Sequence, residues 1–284
     1  MGHSMTDDLF ATLAERFGER PAQPRDTDIP ESWHALAGRG SCRAFLPEPL
    51  EPALIDTLCA LALCAPTKSD LQQRDIIIVE DDALRRRLDA LLTQGPLGQA
   101  WIAETPHLLV FCANNRRQRL LHDWRSKAFA NDHLDAFYNA ALDAGIAMAQ
   151  FMVAAEAAGL GCCPISAIRN EAETVSALLG LPQHVFPAVA LALGRPATPP
   201  KQSYRLPLSV TLHRDRYHED GLPDSVTAYD ERRAAAQPYS GQRYTEDFGQ
   251  ASRYGWSEDK ARQYAKPERA EFGSFVRKAG FRLD

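Results

Sequence analysis

The stretch Leu134–Arg169, LDAFYNAALDAGIAMAQFMVAAEAAGLGCCPISAIR, constrains the fold more than any other part of the chain. Its first two-thirds is rich in Ala and nearly free of charge, with apolar residues on every side instead of in one stripe. High helix propensity without a solvent face predicts a helix buried all round. Asp135, Asn139, Asp143, Gln150 and Glu156 interrupt it too often for a membrane span. Gly159 and Gly161 end it, and Cys162–Ile168 then reads as a short strand or extended segment. A buried helix feeding a Gly-rich turn and a strand makes a rigid platform for a flat ligand.

Apolar runs elsewhere supply a sheet for that helix to cover. Asp75–Val79, Leu108–Ala113 and Pro187–Gly194 are β-branched or wholly apolar and predict buried strands. Pro52 opens a helix that Leu54–Leu63 continues, and residues 82–92 form a charged surface helix. Gln94–Trp101 is a Gly- and Pro-bearing loop, Val175–Leu179 is helical, and Ala197–Ser209 is too rich in Pro for a regular element. Residues 1–35 are a polar lead-in with one amphipathic segment, Leu9–Phe17, preceded by a possible cloning remnant before Met5. Beyond residue 213 the chain is polar, yet its scattered Tyr and Trp residues argue for packing against something, a second subunit included.

A net charge of -5 gives no general attraction to nucleic acid or anionic membranes. Arg116, Arg117 and Arg119 read as a solvated surface turn. The six cysteines form no Cys-x-x-Cys pair and have no His at zinc-ligand spacing, so they argue for a reducing cytoplasm and against a metal site. The start lacks the basic region and apolar core of a secretory signal. No Ser-His-Asp order, P-loop or dinucleotide fingerprint is present. Arg39, Ser41 and Arg43 alternate as on an extended strand, which suits a phosphate plus a second electron-rich group, and equally a pair of surface arginines. Arg205 is a further anion-ligand candidate.

The succession of segments is more specific than any one of them. GRGSCRAF, APTKSDLQ before a strand, GQAW, LLVFCA, DAGIA, GLGCCPISAIRN, ALALGRP and YRLP, in that order, resemble the FMN-dependent nitroreductase family, in particular its oxygen-insensitive NADPH nitroreductases and NADPH-flavin oxidoreductases. The resemblance implies an α+β fold with a mainly antiparallel sheet flanked by helices. It also implies a homodimer whose C-terminal extension wraps the partner. The corresponding division is a lead-in at 1–34, an FMN-binding core at 35–210 and an extension at 211–284.

On single residues, the resemblance implies that Arg39 and Ser41 hold the FMN phosphate, with Gly40 between them and Ser203 and Arg205 closing on it. Arg43 faces the N1 and O2 side of the flavin. Thr67 and Gln72 form a second FMN segment, and Gln99, Ala100 and Trp101 a third. Pro164, Ile165, Ser166 and Ala167 run beside the ring, where a backbone N–H reaches N5. Lys68, Asp70, Lys266, Glu268 and Arg269 line the substrate face. Several positions depart from the pattern: Gly40 and Ser203 stand where basic residues are usual, Ser166 and Ala167 replace glycines, and Asp70 and Glu268 add carboxylates that either disfavour an anionic acceptor or turn outward and pair with Lys68, Lys266 and Arg269.

The activity implied is ping-pong hydride transfer from NADPH or NADH, through FMN N5, to a nitroaromatic, quinone or flavin. The cofactor carries the chemistry, so no catalytic side chain is required. Arg232, Arg233, Arg243 and Arg253 are candidates for a 2′-phosphate site. The alternatives are a flavin reductase serving a monooxygenase, and a flavin-binding protein with little turnover.

Overall fold

The structure is a computed structural model describing residues 5–25, 27–94 and 99–284. The residues before Met5 and the centre of the Gln94–Trp101 loop, residues 95–98, lie outside the described residues. In chain order, α1 is Met5–Phe17, α2 Glu31–Gly38 and α3 Pro52–Leu63; β1 is Arg74–Ile78, α4 Asp82–Leu92, β2 His107–Asn114 and α5 Arg116–Trp124. The central helix α6 is Leu134–Ala157, followed by β3 at Gly161–Ile165, α7 at Ala172–Leu178 and β4 at Val185–Gly194. The C-terminal helices are α8 Leu208–Thr211, α9 Leu222–Ala236, α10 Thr245–Phe248, α11 Trp256–Tyr264 and α12 Phe272–Lys278.

Two compact units emerge. One joins residues through Gly40 to Gln202–Glu268; the other joins Ser41–Lys201 to Arg269–Asp284. Both are discontinuous, so they cut across the linear scheme of lead-in, core and extension. The final helix α12 belongs with the sheet, where Phe275, Val276 and Phe281 pack on Phe186 and Ala140.

The four strands pair antiparallel throughout in the order β1-β2-β4-β3. The strands read as unbroken apolar runs because both faces of the sheet are covered. On β2, Leu108, Val110 and Cys112 face α4 and α7 through Leu88, Leu92 and Val175. The alternate residues Leu109 and Phe111 face α3 and α6 through Ile55, Leu58 and Phe151. Phe111 and Phe151 meet edge to face with centroids 5.8 Å apart. Ala140, Ala144, Ala147 and Ala155 on α6 are wholly buried. Their small side chains let the helix lie close against the sheet.

By length and mean hydropathy, 1.3, α6 meets the requirement for a membrane span. Here that apolarity is spent on the sheet, and only in part. The expectation of burial on every side is corrected: Leu134, Tyr138, Leu142 and Val153 are exposed, Tyr138 at 59% and Val153 at 46%. At spacings of four, four and eleven they form one stripe, which composition alone does not reveal. Gly159 ends the helix at φ 75°, and Leu160 N–H donates to the Ala155 carbonyl at 3.0 Å, closing a Schellman turn. The following strand is shorter than expected, since Ser166–Arg169 winds into a 3-10 turn.

A second correction concerns Arg116, Arg117 and Arg119, which lie on helix α5 and not in a solvated turn. Arg117 pairs with Asp75 and Arg119 with Asp132, the latter pair mostly shielded from water. The Arg119 bond holds the Asp132 carboxyl below its usual range.

The other unit has a small apolar nucleus of Leu9, Phe10 and Ala37, with Leu13 and Ile29 against it. Helix α2 was not anticipated from the sequence, because its eight residues carry little hydrophobic pattern. Polar side chains hold the remainder. Buried Arg262 donates to the carbonyls of Arg243 and Gly249, both at 2.9 Å. Asp259, also buried, pairs with Arg243 at 3.0 Å and Lys260 at 2.9 Å and accepts from Tyr254 at 2.8 Å. The aromatics do pack, as expected, with Tyr229 and Trp256 edge to face at 5.4 Å.

Candidate active site

Three segments of the sheet unit, with the Trp101 turn beside the first, carry the expected cofactor residues. The first continues the sheet edge. Cys42 N–H donates to Cys162 O at 3.0 Å, Leu46 N–H to Arg195 O at 2.8 Å, and Ala197 N–H to Ala44 O at 2.9 Å. Cys42 is buried, so the alternation of an extended chain turns Ser41 and Arg43 the other way. Gly161 permits the approach: a Cβ there would lie 2.6 Å from Cys42 Cβ and Sγ. Arg43 is exposed, with its guanidinium carbon 5.9 Å from the centroid of the Trp101 ring. Trp101 sits in the 3-10 turn Ala100–Ile102, anchored by wholly buried Ile102, whose N–H bonds to Gln99 O at 3.0 Å.

The second segment is the loop from Thr67 to Gln73. Ser69, Asp70 and Gln72 all have positive φ, at 49°, 56° and 52°. Such backbone costs on the order of 1 kcal/mol per residue and needs outside support. Asp143 supplies it. This wholly buried carboxylate of α6 accepts from Lys68 N–H with one oxygen and from Gln73 N–H with the other, each at 3.0 Å. The strained residues lie between those two anchors. Thr67 Oγ1 accepts from Gln72 N–H at 3.3 Å, and Asp70 from the Gln72 side chain at 3.2 Å. Lys68 is exposed, with Nζ on Ser69 Oγ at 3.0 Å.

The third segment follows β3, an edge strand. Ile165 and Ala167 turn into the core, while Ser166 is exposed and Pro164 half-buried. What this stretch offers outward is backbone and one hydroxyl. Arg269, in the same unit, has φ 55° and donates to Asn170 Oδ1 at 3.1 Å.

The other unit holds Arg39, Gly40, Ser203 and Arg205, and gathers cations. Arg205 donates to Ser203 Oγ at 2.5 Å. Both Arg39 and Arg205 line a cavity of about 460 Å3 with Arg16 of α1, among Leu9, Leu13, Phe17 and Trp33. Burial, then Arg205 and Arg39, lower the Arg16 pKa, and its buried Nε has no partner among the described residues. A cluster of guanidinium groups in an apolar cavity with an unused donor fits a phosphate dianion.

In this unit the substrate-face candidates have ties of their own. Lys266 pairs with Asp247 at 2.5 Å, which raises its pKa, and lies 4.4 Å from the centroid of the Tyr244 ring. Glu268 is exposed and accepts from Gln263 at 3.0 Å. Two of the four arginines considered for a 2′-phosphate are internal struts. Arg232 donates to the carbonyls of Glu15 at 2.6 Å and Arg205 at 3.0 Å, and Arg243 pairs with Asp259. Arg233 lies 4.8 Å from the centroid of the Tyr239 ring, and exposed Arg253 stands 3.8 Å from Glu231.

The sequence matches the description of the nitroreductase family over residues 36–195 and of that family's C-terminal domain over residues 203–284. The chain belongs to the nitroreductase family. It is 30% identical to an FMN reductase [NAD(P)H] of Bacillus subtilis over 255 residues, spanning 88% of this chain and 97% of that protein. With an oxygen-insensitive NADPH nitroreductase of Salmonella typhimurium it shares 32% identity over 247 residues, 87% of this chain and 96% of the relative. The solved structure of the NADPH:FMN oxidoreductase from Vibrio harveyi, complexed with NAD+, superposes with a TM-score of 0.75 at 26% identity. It covers 88% of this chain and 97% of its own. The nitroreductase-like α+β fold expected from the segment order is the fold observed.

Two residues of the site escaped the reading of the sequence. Asp143 was noted only as an interruption of an apolar helix; a carboxylate in the middle of buried alanines was the available signal. Arg16 falls in residues 1–35, outside the family match. Its signal was a cation three residues from Leu13 on the apolar side of an amphipathic segment.

Proposed function

We propose that this nitroreductase-family protein is an NAD(P)H-dependent FMN oxidoreductase. It takes electrons from NADPH or NADH and delivers them in a separate half-reaction to a small acceptor: a nitroaromatic, a quinone or a flavin. The observation that carries this reading is the match to an FMN reductase over nearly that protein's full length. FMN, when bound, supplies the two-electron hydride chemistry.

The chain's own residues bind and orient. Arg39 and Arg205 neutralise the phosphate, with Ser41, Ser203 and the backbone at Gly40 as further donors. Arg43 presents its guanidinium to the pyrimidine edge of the ring and stabilises negative charge there. The Trp101 ring lies beside it, with its centroid 5.9 Å from the guanidinium carbon. Thr67, Gln72, Gln99 and Ala100 flank the ring, and Pro164, Ile165, Ser166 and Ala167 present backbone along its other edge. Lys68, Asp70, Lys266, Glu268 and Arg269 face the acceptor, with the two carboxylates selecting against anions. Asp143 holds the Thr67–Gln73 segment in shape.

The working form is a homodimer. The stripe Leu134, Tyr138, Leu142 and Val153, joined by exposed Leu61 and Leu63 on α3, is the face covered by a second copy. Six free thiols suit a reducing cytoplasm. Delivery of reduced flavin to a monooxygenase is the second reading, favoured by the FMN reductase among the relatives.

The test is direct. The purified protein is expected to be yellow, to carry one FMN per chain in a dimer, and to lose its flavin absorbance on anaerobic addition of NADPH. A colourless monomer that takes up no added FMN rejects the proposal.

A further inference from the structure

We propose that Arg16, carried by α1 from outside the family-matched part of the chain, is a third arginine of the site that binds the FMN phosphate. The inference rests on the function proposed above, and on a separate set of contacts. Leu9, Leu13 and Phe17 draw one side of α1 into the cavity wall, and Arg16 follows them in, with only 5% of its surface exposed. Its side chain donates through Nη1 to the carbonyls of Ala37 at 2.5 Å and Arg39 at 3.2 Å. Its own carbonyl accepts the Arg205 N–H at 2.7 Å. Arg16 is therefore bonded to the backbone of both arginines expected at the phosphate.

The electrostatics point the same way. Burial first, and then the like charges of Arg205 and Arg39, work against the charge on the Arg16 guanidinium. An anion placed among the three guanidinium groups would be held by charge-assisted bonds from more than one of them. The Arg16 Nε, buried and without a partner among the described residues, is a donor left for that anion. Neighbouring Gly40 and Ser203 are neutral, so the extra charge must come from elsewhere, and the N-terminal helix brings it.

A purely structural Arg16 would also brace Arg39, so the test separates charge on the phosphate from bracing. Apoprotein is titrated with FMN and with riboflavin, which lacks the phosphate, and Kd is read from quenching of flavin fluorescence. Arg16→Met is expected to weaken FMN binding roughly 10- to 100-fold while leaving riboflavin unchanged within about twofold. Arg16→Lys, which keeps the charge and loses the fork, is expected to fall about 3- to 10-fold on FMN alone; it carries the test if the Met variant does not fold. Equal losses for both flavins, or unchanged FMN affinity, overturn the assignment. A higher KM for NADPH with unaltered FMN affinity overturns it too, because Arg16 would then serve the 2′-phosphate. Wild-type protein that binds neither flavin overturns the proposed function, and Arg16's role with it.

Discussion

The two units of this protein are held together by different means. In the sheet unit, three apolar clusters sandwich four strands, and the central helix contributes alanines and Phe151. In the other unit the apolar cluster found among the described residues is small, and buried Arg16, Arg262 and Asp259 tie backbone carbonyls and ion pairs together. Arg232 adds a strut of the same kind, lying across Tyr204 at 4.7 Å while bonding three carbonyls. Apolar burial is non-directional and tolerates exchange of one hydrophobe for another. Guanidinium struts are directional and leave unpaired groups behind when cut. The first kind of unit makes a rigid frame; the second gathers guanidinium groups around one cavity.

That contrast can be broken most forcefully at Phe151. Phe151→Ala empties the space between α6 and Phe111 and is expected to cost about 3–5 kcal/mol in urea unfolding. A loss below about 1 kcal/mol would mean that the sheet unit is not close-packed there.

Asp143→Ala sharpens the comparison, because it puts a polar failure inside the apolar unit. Two backbone N–H groups lose their acceptor, and a loss of roughly 2–4 kcal/mol is expected. Hydrogen exchange should rise first at the Lys68 and Gln73 amides. Unchanged protection at both would show that the loop holds its shape without the carboxylate.

Gly161→Ala probes contact between chain segments. The added methyl meets Cys42 at 2.6 Å, and overpacking of this kind costs about 1–3 kcal/mol. The 41–43 segment must shift, so weaker FMN binding should accompany the loss. A variant with wild-type FMN affinity would separate the two.

The smallest effect is expected from pH in the arginine-braced unit. Burial pushes the Asp259 carboxyl up, but its bonds to Lys260 and Tyr254 and the charges of Lys260 and Arg243 outweigh that, so its pKa is lowered. A depressed carboxylate pKa stabilises the fold above the unfolded value of about 3.9, and the gain is lost as pH falls through the folded value. Wild type should exceed Asp259→Asn by about 1–2 kcal/mol from pH 5 to 7, and the gap should close below about pH 4. A gap that does not change with pH would assign the stabilisation to shape and not to charge.

The sheet unit was largely legible in the sequence for the same reason that it is stable. Strands covered on both faces must be apolar at every position, and Ile76–Ile78 and Leu108–Ala113 announce themselves. The order of the cofactor segments was legible too, since it is a property of the chain alone. Helix α2 was not, being short and weakly patterned, and the arginines of α5 looked solvated because their partners, Asp75 and Asp132, are distant in sequence or on another element.

By itself, then, the sequence determined the apolar strands, the long alanine-rich helix with its glycine stop, and the linear succession that marks the family. These depend on local pattern and near neighbours. Only the tertiary structure decided which side of α6 stays open, that Asp143 clamps a loop some seventy residues away in sequence, and that Arg16 joins Arg39 and Arg205 around one cavity. Each of those turns on where a single polar or aromatic side chain ends up, and that is fixed by packing between segments far apart in the chain. Hydrophobic periodicity says that a helix has an inside; it does not say what waits there.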